Sequence, residues 1–203
     1  MTEWVLAVER AYVASATGGT SPAFVASEPA AIAAKILPGR AHGAIGAVAS
    51  HYLAVGTPRS FGLVVEGSIT DAVQSLVAHR TWFAPRDIRC AGAKADELVR
   101  ELASLGVTLE ARATTLAEAL ACDIVCIHAP LLIEPGAIRR GTHINVLAPA
   151  VVILDDLASV AVISHETPGL GQLAAGFVDG RQLDEITIFV LGDAAIARAA
   201  LGG

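Results

Sequence analysis

Arg59–His79, RSFGLVVEGSITDAVQSLVAH, decides the fold. Phe61–Val65 is a short apolar, β-branched run, and after a turn the apolar residues Ile69, Ala72, Val73 and Leu76 recur at helical spacing. The stretch predicts strand, tight turn, helix. Ile88–Ala91 predicts a second strand, so the unit is the opening βαβ of a doubly wound sheet, where a dinucleotide's pyrophosphate rests on the helix N-terminus. The turn is poorly suited to that ligand. The fingerprint G-x-G-x-x-G/A falls on Val65, Gly67 and Thr70, so Gly67 alone is kept. Val65 hinders the tight first turn, and Glu66 adds a carboxylate beside the place of a doubly charged group.

Outward from this unit the alternation continues. Ala95–Leu105 predicts a helix closed by Gly106, Val107–Ala111 a strand, and Leu116–Ala121 a short helix capped by Thr114 or Thr115. Asp123–His128, His143–Leu147 and Val151–Leu154 predict three more strands. Strands and helices alternating at this spacing give a mostly parallel, buried sheet with helices on both faces. Before it, Glu3–Ser15 predicts a helix stopped at Gly18-Gly19, Pro38-Gly39 a turn, and Ala41–Ala54 a small-residue helix. After it come a helix near Gly171–Phe177, an irregular stretch through Gly180 and a last helix from Asp193 to Leu201. The expected architecture is a Rossmann-like α/β domain over residues 58–163. Residues 1–57 form a reduced N-terminal, dimerisation-type region, and residues 164–203 a segment packing back on it.

Composition narrows the function. A hydrophobic content of 54% with 17% charged residues is ample for a core, and no apolar run reaches the ~20 residues of a membrane span. Glu3 and Glu9 stand where a signal peptide would be basic, so the expected compartment is the cytoplasm. Cys90, Cys122 and Cys126 are an odd number in apolar surroundings, which suits reduced thiols. The net charge of -6, with Lys35 and Lys94 the only lysines, argues against a nucleic-acid surface.

Four later segments belong together: DIVCIHAP (123–130), GTHINVLAP (141–149), VVILDD (151–156) and GQLAAGFVDGRQLDEITIFVLGDAA (171–195). Their order and spacing resemble the ornithine cyclodeaminase/μ-crystallin family, with its G-x-H-I-N-x-x-G and D-E-I-T-x-F segments after a Rossmann core. The resemblance starts near Gly39, where GRAHGAIGAVASHYLA is similar to the family's small-residue helix. It implies NAD(P)-dependent chemistry on an amino acid or cyclic imine, with cofactor contacts at Gly67, Ser68, Ile69 and His128. The chain departs from the pattern at several points. No acid for the cofactor ribose stands at Ala91–Ala93; the substrate-carboxylate arginine falls on Ala41, with Arg40 beside it; and the catalytic aspartate falls near Ala150. The family also has some tens of residues more before Gly39, in its substrate and dimerisation domain.

Among the remaining polar residues, His143 and Asn145 are the best candidates for chemistry. They stand at i and i+2 on one strand face, expected near the carboxyl ends where open α/β sheets bind ligands, and with Arg40 they form the candidate catalytic set. The bland alternative is that they hydrogen-bond to neighbouring segments. Cys126 and His128 share a strand face, but no second ligand pair accompanies them, so no metal is expected. Asp184 with Glu185, and Asp155 with Asp156, read first as capping or turn carboxylates. The sequence thus predicts a degenerate ornithine cyclodeaminase-like protein, a non-redox partner or ligand-binding component in amino-acid-derived biosynthesis. It is expected to lack a cofactor, to pair with another protein or a second copy, and to take a small amino-acid-like ligand. The alternative is an active NAD(P)-dependent cyclodeaminase, dehydrogenase or imine reductase.

Overall fold

The computed structural model of the chain describes residues 2–25, 30–106, 110–148, 151–153, 155–158, 161–180 and 185–202. Helix α1 (Glu3–Thr17) ends at Gly18, whose φ of 71° is the left-handed conformation a glycine enters without strain. Helix α2 (Ala30–Leu53) corrects the expected turn at Pro38: it runs straight through that residue. Pro38 removes one backbone donor at an exposed position, whereas every residue from Gly43 to Ser50 is buried, so packing overrides the local signal.

Strand β1 (Ser60–Val65), helix α3 (Ile69–His79), β2 (Asp87–Ala91), α4 (Ala95–Ser104), β3 (Glu110–Ala113), α5 (Leu116–Leu120) and β4 (Ile124–His128) alternate as the pattern predicts. Residues 107–109, the start of the predicted third strand, lie outside the described residues. Thr115 is the cap of α5. Its hydroxyl accepts from the Glu118 N–H at 3.3 Å, while the Glu118 carboxylate accepts from the Thr115 N–H at 3.1 Å. The chain continues through β5 (Leu131–Ile133), β6 (His143–Val146), β7 (Val151–Ile153), α6 (Asp155–Ala158), β8 (Ala161–His165), α7 (Gly171–Ala174), β9 (Ile186–Val190) and α8 (Ala195–Ala200).

Seven strands form one sheet in the order β3-β2-β1-β4-β6-β9-β8, with every neighbouring pair parallel, and β5 and β7 pair in a separate parallel ribbon. The fold is α/β and Rossmann-like. Two expectations about its second half change. The predicted strand at Val151 forms but leaves the main sheet for the ribbon, and the tail contributes β9, which inserts between β6 and β8. Four of the five β9 residues are buried, so both faces are covered and no polar alternation marks the strand in the sequence.

Side chains from the two sheet faces enter two cores. Phe61, Leu63 and Val65 of β1 join residues of α1, α2, α3, α4, α7 and α8 on one face. Val64 joins Ala119, Leu120, Ile133 and Leu157 on the other. Gly62 lets α5 lie directly on β1, since a Cβ there would stand 2.2 Å from the Ala119 carbonyl oxygen. Among the described residues no helix is long and apolar enough to cross a membrane.

Candidate functional site

The strand order reverses between β1 and β4, and in open α/β sheets that switch point is where ligands bind, at the carboxyl ends of the strands. The structure brings three sequence-predicted contacts there. Gly67 and Ser68 are exposed in the β1–α3 turn, and His128 ends β4 in register with Val65. Ile69 opens α3 beside them, half-buried. The loop after β2 forms one wall: the Lys94 N–H donates to the Val65 carbonyl at 3.2 Å, and Gly92, at φ 98°, lies so close that a Cβ would stand 2.4 Å from the same oxygen.

The chain's own groups occupy part of the helix start. Ser68 caps α3, its hydroxyl accepting from the Asp71 N–H at 3.3 Å, so one donor of the helix start is occupied. Glu66 is exposed in the turn and Asp71 lies in the first helical turn, and Lys94 is held by Glu97 at 2.7 Å. Gly67 keeps open space above its Cα, with nothing within 4 Å of an added Cβ. Val65 is wholly buried where the fingerprint needs its first glycine. The frame of a dinucleotide site is present, with Glu66 and Asp71 as two carboxylates beside the helix start and one of its donors taken by Ser68.

His143 and Asn145 share a face as predicted, yet they sit elsewhere. The β6 strand is short, and its parallel register sets His143 opposite Ile124, at the amino end of the sheet rather than the carboxyl end. Both side chains are fully buried under α2. They belong to a chain of buried hydrogen bonds. Thr187 of β9 meets the His143 Nδ1 at 2.8 Å, and the His143 Nε2–H donates to the Asn145 Oδ1 at 3.2 Å. The Asn145 amide donates to the Ser50 hydroxyl at 2.9 Å, and Ser50 donates to the His79 Nε2 at 2.9 Å. The His79 Nδ1–H ends the series on the Ser75 carbonyl at 2.7 Å, which fixes its tautomer because a carbonyl only accepts. Burial lowers the His79 pKa to about 4, so the ring is neutral near pH 7.

Ser75 also reaches the crevice: its hydroxyl shares a 3.0 Å hydrogen bond with the His128 Nε2. Burial, with smaller contributions from His42 and His79, pushes the His128 pKa down to about 3. Ser50, Ser75, His79 and Thr187 were not singled out from the sequence. The available signal was spacing, since Ser75 and His79 are i and i+4 on α3, and Ser50 continues the Gly43, Gly46 stripe of α2. Arg40 is not brought to His143 or Asn145 by any of these contacts; its guanidinium lies over the Trp4 ring of α1, 5.7 Å from the centroid.

A second polar centre joins the chain's two ends. Glu166, 2% exposed and directly after β8, accepts from the Tyr12 hydroxyl of α1, from the Gly192 N–H at 2.7 Å and from the Ala194 N–H at 3.2 Å. Burial first, and then Glu166, raise the Tyr12 pKa far above that of a free phenol. The three cysteines are buried and unbridged. Desolvation pushes Cys90 up to about 12 and Cys122 to about 11, which leaves both as inert thiols. Among the described residues no group of three or more His, Cys, Asp or Glu is arranged to hold a metal ion. Asp155 and Asp156 open α6, Glu185 is half-buried just before β9, and Asp184 and Ala150 lie outside the described residues.

Neither a protein-family model nor a curated protein matches this sequence. Solved structures do. An archaeal alanine dehydrogenase dimer with bound NAD is 24% identical with a TM-score of 0.67, over 79% of this chain and 60% of that one. The Thermococcus litoralis Δ1-pyrroline-2-carboxylate reductase, in complex with NADH and L-proline, is 17% identical with a TM-score of 0.79, over 98% and 90%. A probable ornithine cyclodeaminase from Bordetella pertussis Tohama I is 20% identical with a TM-score of 0.68, over 82% and 64%. The chain spans less than two thirds of the first and third of these proteins and most of the second. It has the fold of the alanine dehydrogenase, pyrroline-carboxylate reductase and ornithine cyclodeaminase structures, the group to which its own sequence segments pointed.

Proposed function

We propose that this chain is a ligand-binding or partner component in amino-acid-derived biosynthesis that keeps a dehydrogenase-type frame without working through a bound nicotinamide. The observation that carries this reading is the β1–α3 turn: Val65 is buried at the first glycine position, Glu66 and Asp71 bring two carboxylates to the helix start, and the Asp71 N–H is taken by Ser68. A turn of this kind opposes the charge it would have to hold. The partner is another protein or a second copy, engaged through apolar surface such as Val162 and Val178, which are 46% and 44% exposed.

Titrating NADH and NADPH by fluorescence or calorimetry tests the reading. Neither nucleotide is expected to bind more tightly than about 100 μM, roughly 5.5 kcal/mol. Tighter binding by either would overturn it. The double substitution Val65→Gly with Glu66→Gly is expected to recover binding, because it removes the buried branch and one carboxylate together.

One observation favours the enzyme reading, an NAD(P)-dependent reductase or cyclodeaminase. The alanine dehydrogenase and pyrroline-2-carboxylate reductase structures that share the fold were solved with NAD and NADH. On that reading Arg40 holds a carboxylate substrate, and α2 has to move off the sheet before His143 and Asn145 can meet it, since neither has exposed surface.

A further inference from the structure

We propose that the cavity between α1, α7 and α8 binds a small organic ammonium, with Glu166 as its counter-charge. The cavity holds about 280 Å³, just below the ~300 Å³ at which pockets for larger ligands begin, so its occupant is about the size of an amino acid. Its lining includes Tyr12, Ala16, Glu166, Gln172, Phe177 and Ile196, and no lining residue is cationic. Glu166 is nearly fully buried, and its hydrogen bonds come from one phenol and two backbone amides. A carboxylate offers about four lone-pair positions, so three donors leave one acceptor site, here on the oxygen that Tyr12 alone occupies. Among the described residues no Lys or Arg forms an ion pair with it.

The second observation is Phe177. It lines the same cavity as the buried carboxylate and stays 62% exposed, so its ring is uncovered by the chain and accessible to an entering ligand. Aromatic face and carboxylate together are the chemistry that recognises an ammonium head, and the apolar Ala16 and Ile196 suit a short alkyl body. This inference goes beyond the reading of the nucleotide crevice. The nucleotide titration reports on that crevice and an ammonium series on this cavity, so each fails alone.

The test is calorimetry at pH 7 on the full chain with n-butylammonium, n-butanol and butyrate, which share an alkyl body and differ in the head. The ammonium is expected to bind roughly tenfold more tightly than either control. Glu166→Gln is expected to remove that preference. Ala16→Leu, a good helix former that fills the cavity from α1, is expected to abolish binding with Glu166 still in place. Equal affinity for the three probes, no binding of any, or an unchanged affinity in Ala16→Leu would overturn the proposal. If Glu166→Gln does not fold, probe selectivity and Ala16→Leu decide.

Discussion

His79 and His128 are held neutral by burial, and this makes the protein sensitive to mild acid. In the unfolded chain each imidazole takes a proton near pH 6.5, while in the folded protein uptake waits until about pH 4 for His79 and about pH 3 for His128. Between those limits the unfolded state binds more protons, so the stability present above pH 6.5 is lost as the pH falls. Two such groups cost about 2–3 kcal/mol between pH 6 and pH 5. Urea unfolding at a series of pH values should show this loss, and His79→Gln should roughly halve the slope. An unchanged slope in that variant would mean that His79 titrates normally. The sequence was legible here only in part. Period two on β6 put His143 and Asn145 on one face, and the structure has them there, 3.2 Å apart. That Ser50 and His79 complete their hydrogen bonds depends on α2 and α3 crossing the sheet together, a tertiary fact with no local signature.

At the scale of elements, the small-residue run of α2 exists to let that helix lie on α3. Gly43 faces backbone: an added Cβ would stand 2.8 Å from the Gln74 carbonyl oxygen and 2.9 Å from the Ser75 nitrogen. Gly46 faces the tip of Leu147, at 3.3 Å, which can shift by a rotamer adjustment. Gly43→Ala is therefore expected to cost about 1–3 kcal/mol, more than the roughly 1 kcal/mol that alanine gains by helix propensity. Gly46→Ala should be close to neutral. Chemical denaturation with an unchanged m value separates the two, and a Gly43→Ala protein as stable as the parent would show that the helices can part cheaply. The helix itself was visible from Ala41 onward, because its small-residue spacing is a local signal. Its extension back to Ala30 was hidden by Pro38-Gly39, a turn signal that packing overrules. Strand β9 was hidden for a different reason: ITIFV follows an acidic pair in what reads as a tail, and a strand buried on both faces shows no alternation.

The whole molecule is held together by contacts that cross every boundary drawn in the sequence. Trp4, Val8 and Tyr12 from the first region, Phe61, Leu76 and Ile124 from the second, and Leu170, Phe189 and Leu201 from the third occupy one continuous core. The order β6-β9-β8 threads the third region through the sheet, a placement no local pattern encodes, because a strand buried on both faces carries no alternation to mark its neighbours. Tyr12 and Glu166 tie the ends across that core. If residues 1–57, 58–163 and 164–203 share it as closely as this, they should unfold together, with a calorimetric enthalpy equal to the van't Hoff value. Tyr12→Phe then removes a hydrogen bond to a buried carboxylate, costing about 1.5–3 kcal/mol, and should lower the single Tm by roughly 4–10 °C. A thermogram with two transitions, only one of them displaced by Tyr12→Phe, would show instead that the ends form a separate cooperative unit resting on the sheet.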